Sequence, residues 1–103
     1  MIVTPSAPPA GQTVVKLSAG LDFAAAPRLR EQLTKLLDRG TGLLILDLSR
    51  VLSCDTAGLA VLIGTQRRAW VLGTKMRLRA PSPSVTKVLR STGLDRSFSI
   101  CAR

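Results

Sequence analysis

Leu43 to Arg68 reads LLILDLSRVLSCDTAGLAVLIGTQRR, and this stretch decides the fold. Leu43 to Leu48 is a short apolar run interrupted only by Asp47, the pattern of a central strand covered on both faces. A polar loop follows and opens directly into an apolar-periodic helix. Asp55 or Thr56 caps that helix, because a short side-chain oxygen satisfies its first free N–H groups. Its inner stripe is read as Leu59, Leu62, Ile63, Gln66 and Trp70, and Gly73 ends it. A hydroxyl at a helix start beside a carboxylate is either a modification site or an ordinary cap, and the residues alone leave both readings open.

Working outward, Lys75 to Ala80 alternates strictly, with Met76, Leu78 and Ala80 inward and the cations outward. This is a strand with one wet face, or an edge. Ser82 to Ser84 is a Pro-containing loop feeding a short helix with Val85, Val88 and Leu89 on its apolar face and Gly93 at its end. Phe98 to Cys101 is a last strand. On the other side, Thr13 to Ser18 is a strand, Ala19 to Phe23 a loop, and Pro27 fits the first turn of a helix. Leu29, Leu33, Leu36 and Leu37 share one face of that helix, and Gly40 supplies its left-handed end. Residues 1–11 read as a flexible arm, with Met1 to Thr4 as a possible short edge strand; residues 12–103 form a single domain. Strand and helix alternate, which means a largely parallel sheet with helical crossovers.

Composition narrows the function classes. The chain has 103 residues, 46% of them hydrophobic, enough for one compact core. No apolar run approaches the ~20 residues that span a bilayer. The start has no basic segment followed by an apolar one, so no signal peptide is expected, and cytoplasmic residence is. There is no histidine, and Cys54 and Cys101 lack ligand spacing, which argues against zinc and against a His-dependent triad. Both cysteines are read as buried free thiols. Asp47 and Asp55 show neither metal-ligand nor acid–base spacing, so no catalysis is expected.

The formal charge is +9, from 15 Lys and Arg against 6 Asp and Glu. Such a balance suits an acidic protein surface, nucleic acid or anionic lipid. Yet the cations are dispersed; only Arg67-Arg68 and Lys75-x-Arg77-x-Arg79 cluster. Phe23, Trp70 and Phe98 form no paired stacking platform for bases. Specific nucleic-acid binding and membrane insertion are therefore not expected.

The layout, with Asp55-Thr56-Ala57-Gly58-Leu59 at a helix start, resembles the STAS superfamily, in particular the bacterial anti-sigma factor antagonists. Their corresponding motif is Asp-Ser-Ser-Gly-Leu. Ala19-Gly20-Leu21-Asp22 stands where they carry Gly-Glu-Leu-Asp, and Asp47-Leu48-Ser49 where their strand ends in Asp-Leu. Ser82-Pro83-Ser84-Val85 and Ser91-Thr92-Gly93-Leu94 also look like antagonist sequence, so the resemblance runs from about Val14 to Ile100. It implies an α/β STAS fold, a four- or five-stranded mixed sheet with three or more helices packed against it.

It also implies a function. In the antagonists the residue after the motif Asp is a phosphorylated hydroxyl, here Thr56. An anti-sigma factor kinase phosphorylates it, a Ser/Thr phosphatase reverses the mark, and the unmodified form binds the anti-sigma factor. Asp22, Asp55, Thr56, Ala57, Gly58 and Ala60 become the implied partner contacts. The chain itself would need no cofactor, since ATP would be bound by the partner kinase. Three departures stand out: Thr replaces the usual Ser, Ala57 replaces the second hydroxyl, and the loop Glu is absent. Asp47 to Val51 and Asp55 to Ala60 also resemble the STAS subunit of a bacterial phospholipid-trafficking ABC transporter, which docks on the transporter ATPase. Ser82 to Val85 and Thr92 to Arg96 favour the antagonists.

Two bland readings stand beside these. Asp22 equally suits a turn-fixing carboxylate. Gly58 equally suits close packing of helix on loop.

Overall fold

The computed structural model describes residues 2–5, 11–40 and 42–101. The elements run β1 (Ile2–Pro5), β2 (Gln12–Leu21), α1 (Ala26–Asp38), β3 (Leu43–Cys54), α2 (Thr56–Val71), β4 (Lys75–Arg79), α3 (Pro83–Thr92), a 3₁₀ turn (Leu94–Arg96) and β5 (Ser99–Cys101). The strands lie in the sheet in chain order, β1-β2-β3-β4-β5. β1 pairs with β2 antiparallel, and every other pairing is parallel. The largely parallel sheet that the alternation predicts is present, and with the antiparallel β1 it is the five-stranded mixed sheet that the resemblance implies. Within the stretch read as an arm, Ile2–Pro5 forms β1 at the sheet edge, whereas residue 1 and residues 6–10 lie outside the described residues.

Side-chain alternation places the core. Val15 and Leu17 of β2, Leu44, Leu46 and Leu48 of β3, and Met76 and Leu78 of β4 join one buried cluster. Leu29, Leu33 and Leu37 of α1, Leu59 and Leu62 of α2, and Val85 and Leu89 of α3 belong to the same cluster. All three helices therefore cover one face of the sheet. The alternate row of β3, with Leu43, Ile45 and Asp47, stands outside the cluster. The expected cover on both faces of β3 is therefore helical on one face only; on the other, Ile45 and its β2 neighbour Val14 are nevertheless buried. On that second face Asp47 pairs in register with both Lys16 and Arg79. Arg79 Nη2 lies 3.2 Å from its carboxylate, which also accepts from Ser49 N at 3.0 Å and Ser49 Oγ at 2.7 Å. Burial alone would raise the Asp47 carboxyl; the Ser49 and Arg79 interactions outweigh it and hold the group below its ordinary range.

Several boundaries differ from those expected. β2 continues through Ala19 to Leu21, so the loop read over Ala19 to Phe23 begins only at Asp22. β3 runs six residues past Leu48, because register shifts near Ser18 and Gly20 keep β2 and β3 paired as far as Leu21 and Cys54. Ala80 leaves the β4 ladder, with φ 48°. Ser82 is itself the cap of α3, accepting from Val85 N at 3.4 Å, and Pro83 begins the helix. The final strand starts at Ser99, leaving Phe98 buried just before it.

The inward face of α2 also needs correction. Gly58, Leu59, Val61, Leu62, Thr65 and Ala69 are buried, whereas Trp70 is 84% exposed. At about 100° per residue, Ala69 lies roughly 20° round the helix from Leu62 and Trp70 roughly 80°. The smaller residue therefore takes the inward position. Thr65 is tolerated there because its hydroxyl donates to Val61 O at 2.8 Å.

Candidate functional site at the start of α2

β2 and β3 end side by side, Leu21 opposite Cys54, and the chain turns from β3 into α2 within one residue. Asp55 N donates to Leu21 O at 3.1 Å, carrying the sheet ladder one step further. Asp55 is extended, at φ −131° and ψ −179°, and is the cap of α2. Of the two candidate caps the structure selects Asp55, which places Thr56 at the first helical position.

The Asp55 carboxylate does two jobs. Oδ1 accepts from Gly58 N at 3.0 Å, and Oδ2 accepts from Phe23 N at 3.0 Å. One side chain thereby ties the helix start to the loop after β2. The bonds from Gly58 and Phe23 hold its pKa below the ordinary carboxylate range. Asp22 makes the reciprocal tie: its Oδ1 accepts from Ala25 N at 3.1 Å, and its Oδ2 accepts from Ser53 Oγ at 3.3 Å. Two carboxylates thus stitch the β2–α1 loop and the β3–α2 junction together from opposite sides.

Gly58 is the packing point of this junction. A β-carbon there would overlap the Leu21 carbonyl and lie 2.9 Å from Asp22 N. The backbone of α2 approaches the end of β2 so closely that only glycine fits. Gly58 is accordingly buried, which sets it apart from the other five residues read as partner contacts. Asp22, Asp55 and Ala57 are half-buried, and Thr56 and Ala60 are exposed.

Down the outer side of α2, Thr56, Ala60 and Gly64 follow at four-residue spacing and are exposed, with Arg67 next. A β-carbon added at Gly64 would meet nothing within 4 Å. The first two turns therefore offer a smooth surface beside the Thr56 hydroxyl. Phe23 and Leu52, both 79% exposed, stand at the same end of the molecule. Sequence reasoning passed over both. An apolar residue directly after the turn-forming Asp22 was a usable signal for Phe23; Leu52 had none once β3 was taken to stop at Leu48.

Cys54 is half-buried rather than buried, as is Cys101, and both are free. Burial, reinforced by the charges of Asp55 and Asp22, pushes the Cys54 thiol up to about 11. It is protonated at neutral pH and is a poor nucleophile. Among the described residues no group of three or more His, Cys, Asp or Glu is placed to hold a metal ion, and no helix is long and apolar enough to cross a membrane.

Together these features define a small α/β domain that presents a hydroxyl where two parallel strands give way to a helix. The STAS domain model matches residues 2–103, and the chain belongs to that family. It is 32% identical over 89 residues to the anti-sigma-B factor antagonist of Bacillus subtilis (strain 168), covering 86% of this chain and 81% of the relative. An anti-sigma factor antagonist from Mycobacterium paratuberculosis superposes with a TM-score of 0.87 at 26% identity, over 99% of this chain and 86% of that one. The phosphorylated form of the Bacillus cell fate determinant SpoIIAA shares the fold, with a TM-score of 0.74 at 21% identity over 99% and 92% of the two chains. Within the STAS family, the chain groups with the anti-sigma factor antagonists.

Proposed function

We propose that this protein is an anti-sigma factor antagonist that binds an anti-sigma factor kinase through the Asp22 loop, Thr56 and the outer face of α2, and is switched off by phosphorylation of Thr56. The observation that carries the reading is the exposed Thr56 hydroxyl at the first position of α2, relieved of capping by Asp55. The antagonist relative supports the choice of partner.

The switch follows from local charge. The partner kinase would hold the ATP; its γ-phosphoryl group passes to Thr56 Oγ1, which gives up its proton, while the bond to the β–γ bridging oxygen breaks and ADP leaves. A phosphate adds about −1.5 to −2 charge. At a helix N-terminus the dipole and free N–H groups accept an anion, so the fold should persist. Asp22 and Asp55 already bring two carboxylates to this end, and their oxygens are committed to backbone and Ser53 donors. The added anion therefore changes the docking surface rather than the scaffold, and a partner shaped for a neutral hydroxyl loses contact. A Ser/Thr phosphatase would restore it.

The test is binding of the wild-type chain, Thr56→Ala and Thr56→Glu to the cognate anti-sigma factor, with mass spectrometry of Thr56 after incubation with that kinase and ATP. Thr56→Glu should lose at least tenfold in affinity, about 1.4 kcal/mol. Unchanged binding by Thr56→Glu, or no phosphate on Thr56, would remove the switch. Co-purification with a transporter ATPase in place of a sigma regulator would replace the partner.

A further inference from the structure

At the far end of α2 lies a second surface. Trp70 is 84% and Val71 80% exposed, so two large apolar side chains stand in water at adjacent positions. They border a groove of about 630 Å³ between the last turns of α2 and strand β4. Met76 lies in the groove, and Arg67, Lys75 and Arg77 line it. No carboxylate is among the lining residues. Nearby cations are differently placed: Arg68 pairs with Asp38 at 2.8 Å and Arg79 with Asp47 at 3.2 Å. β5 pairs with β4 only from Arg77 onward, so at Lys75 and Met76 β4 is paired with β3 on one side and has no strand on the other.

We propose that this groove docks an acidic amphipathic helix of a partner protein, with Trp70 and Val71 as apolar anchors and Arg67, Lys75 and Arg77 pairing with its carboxylates. Exposed Trp flanked by cations is the make-up of an interface centre with a polar rim. The groove runs beside the last turns of α2 at the start of β4, where β5 does not yet pair, so a further helix packed against α2 is the natural occupant. A second copy of this chain is disfavoured, because it would bring two cationic rims together at a net charge of +9. The groove is separate from the Thr56 end: 14 residues of helix span about 21 Å. The proposal does not rest on phosphorylation or on the identity of the kinase.

Trp70 is the sole tryptophan, so its emission reports occupancy directly. The probes are two fluorescein-labelled 18-residue amphipathic peptides with Leu on one face, one carrying Glu and the other Lys on the remaining faces. Each is titrated against the full chain by anisotropy, Trp70 emission and circular dichroism. The Glu peptide should bind at least tenfold more tightly than the Lys peptide, shift Trp70 emission to the blue and gain helix content. Trp70→Ala should lose at least tenfold by anisotropy. The combined Arg67→Glu, Lys75→Glu and Arg77→Glu variant should reverse the peptide preference, and Thr56→Glu should bind as the wild type does. Equal affinity for the two peptides, binding without helix gain, or loss of binding in Thr56→Glu would overturn the proposal. So would a blue-shifted Trp70 in a concentration-dependent dimer, which assigns the groove to a second copy. A blue shift with phosphatidylglycerol vesicles but not with the Glu peptide would assign it to a membrane surface.

Discussion

The two ends of helix α2 are built on opposite plans. At Thr56 the helix is held by backbone geometry: Asp55 grips Gly58 and Phe23, Asp22 grips Ala25 and Ser53, and Gly58 sits against the Leu21 carbonyl. At Trp70 it carries large side chains and cations standing in solvent. The first end presents one small hydroxyl on a tightly bonded backbone. The second offers area and charge, and tolerates more than one way of being covered. A single helix can therefore carry a contact sensitive to one modification and another that is not.

The largest expected effect breaks the first end. Gly58→Ala forces a β-carbon into the Leu21 carbonyl, and overpacking against backbone should cost about 3 kcal/mol. That lowers Tm by roughly 12 °C or more in a domain of this size. Thermal unfolding measures it; a Tm within 2 °C of wild type would mean that the junction is looser than described.

Next comes the pH response of the same end. The Asp55 pKa is depressed in the folded state, so its carboxylate stabilises the fold at neutral pH. That stability disappears as pH falls below the ordinary carboxylate range, through the depressed folded value. Asp55→Asn keeps an acceptor for one backbone donor but removes the titration. It should start less stable at pH 7 and lose less on acidification than the wild type, which paired melts from pH 7 to pH 2 would show. Parallel acid profiles would place the acid sensitivity elsewhere, with Asp47 the first candidate.

A smaller effect has the opposite sign. Gly64 lies in the exposed interior of α2 with open space where a β-carbon would go, so Gly64→Ala should stabilise by about 0.5–1 kcal/mol. The same methyl sits on the smooth face between Thr56 and Arg67. Weaker binding to the anti-sigma factor in a more stable protein would sharpen the assignment of that face. Unchanged affinity would confine the contact to the first turn.

Smallest of all, Trp70→Ala should change stability by no more than about 0.5 kcal/mol, because so exposed a side chain leaves no cavity behind. Urea denaturation measures this, and a loss above 1.5 kcal/mol would make Trp70 a structural residue. The two glycines and Trp70 thus separate the ends by the sign and size of three single changes.

Much of the architecture was legible in the sequence because it rests on local patterns. The apolar run Leu43–Leu48, the four-leucine face of α1 and the strict alternation of β4 each betray their element without reference to any other. What escaped depends on partners distant in the chain. The last six residues of β3 look like a loop until β2 lies beside them. The Asp22–Ser53 and Asp55–Phe23 ties join residues about thirty positions apart. Hydrophobicity alone puts Trp70 inward; helix geometry gives the inward position to Ala69 and leaves the largest apolar side chain of α2 outside. At the site, Thr56 and Asp55 were visible as residue types. Which of the two was the cap, and that Gly58 lies buried under the end of β2, required coordinates.

The order of strands in the sheet has a kinetic consequence. Because β1 to β5 lie side by side in the sequence in which they are synthesised, each strand finds its neighbour across a single hairpin or a single crossover. No pairing waits for a distant segment to return, and loop-closure entropy is met in small steps. Refolding should then be fast for a sheet of mostly parallel strands.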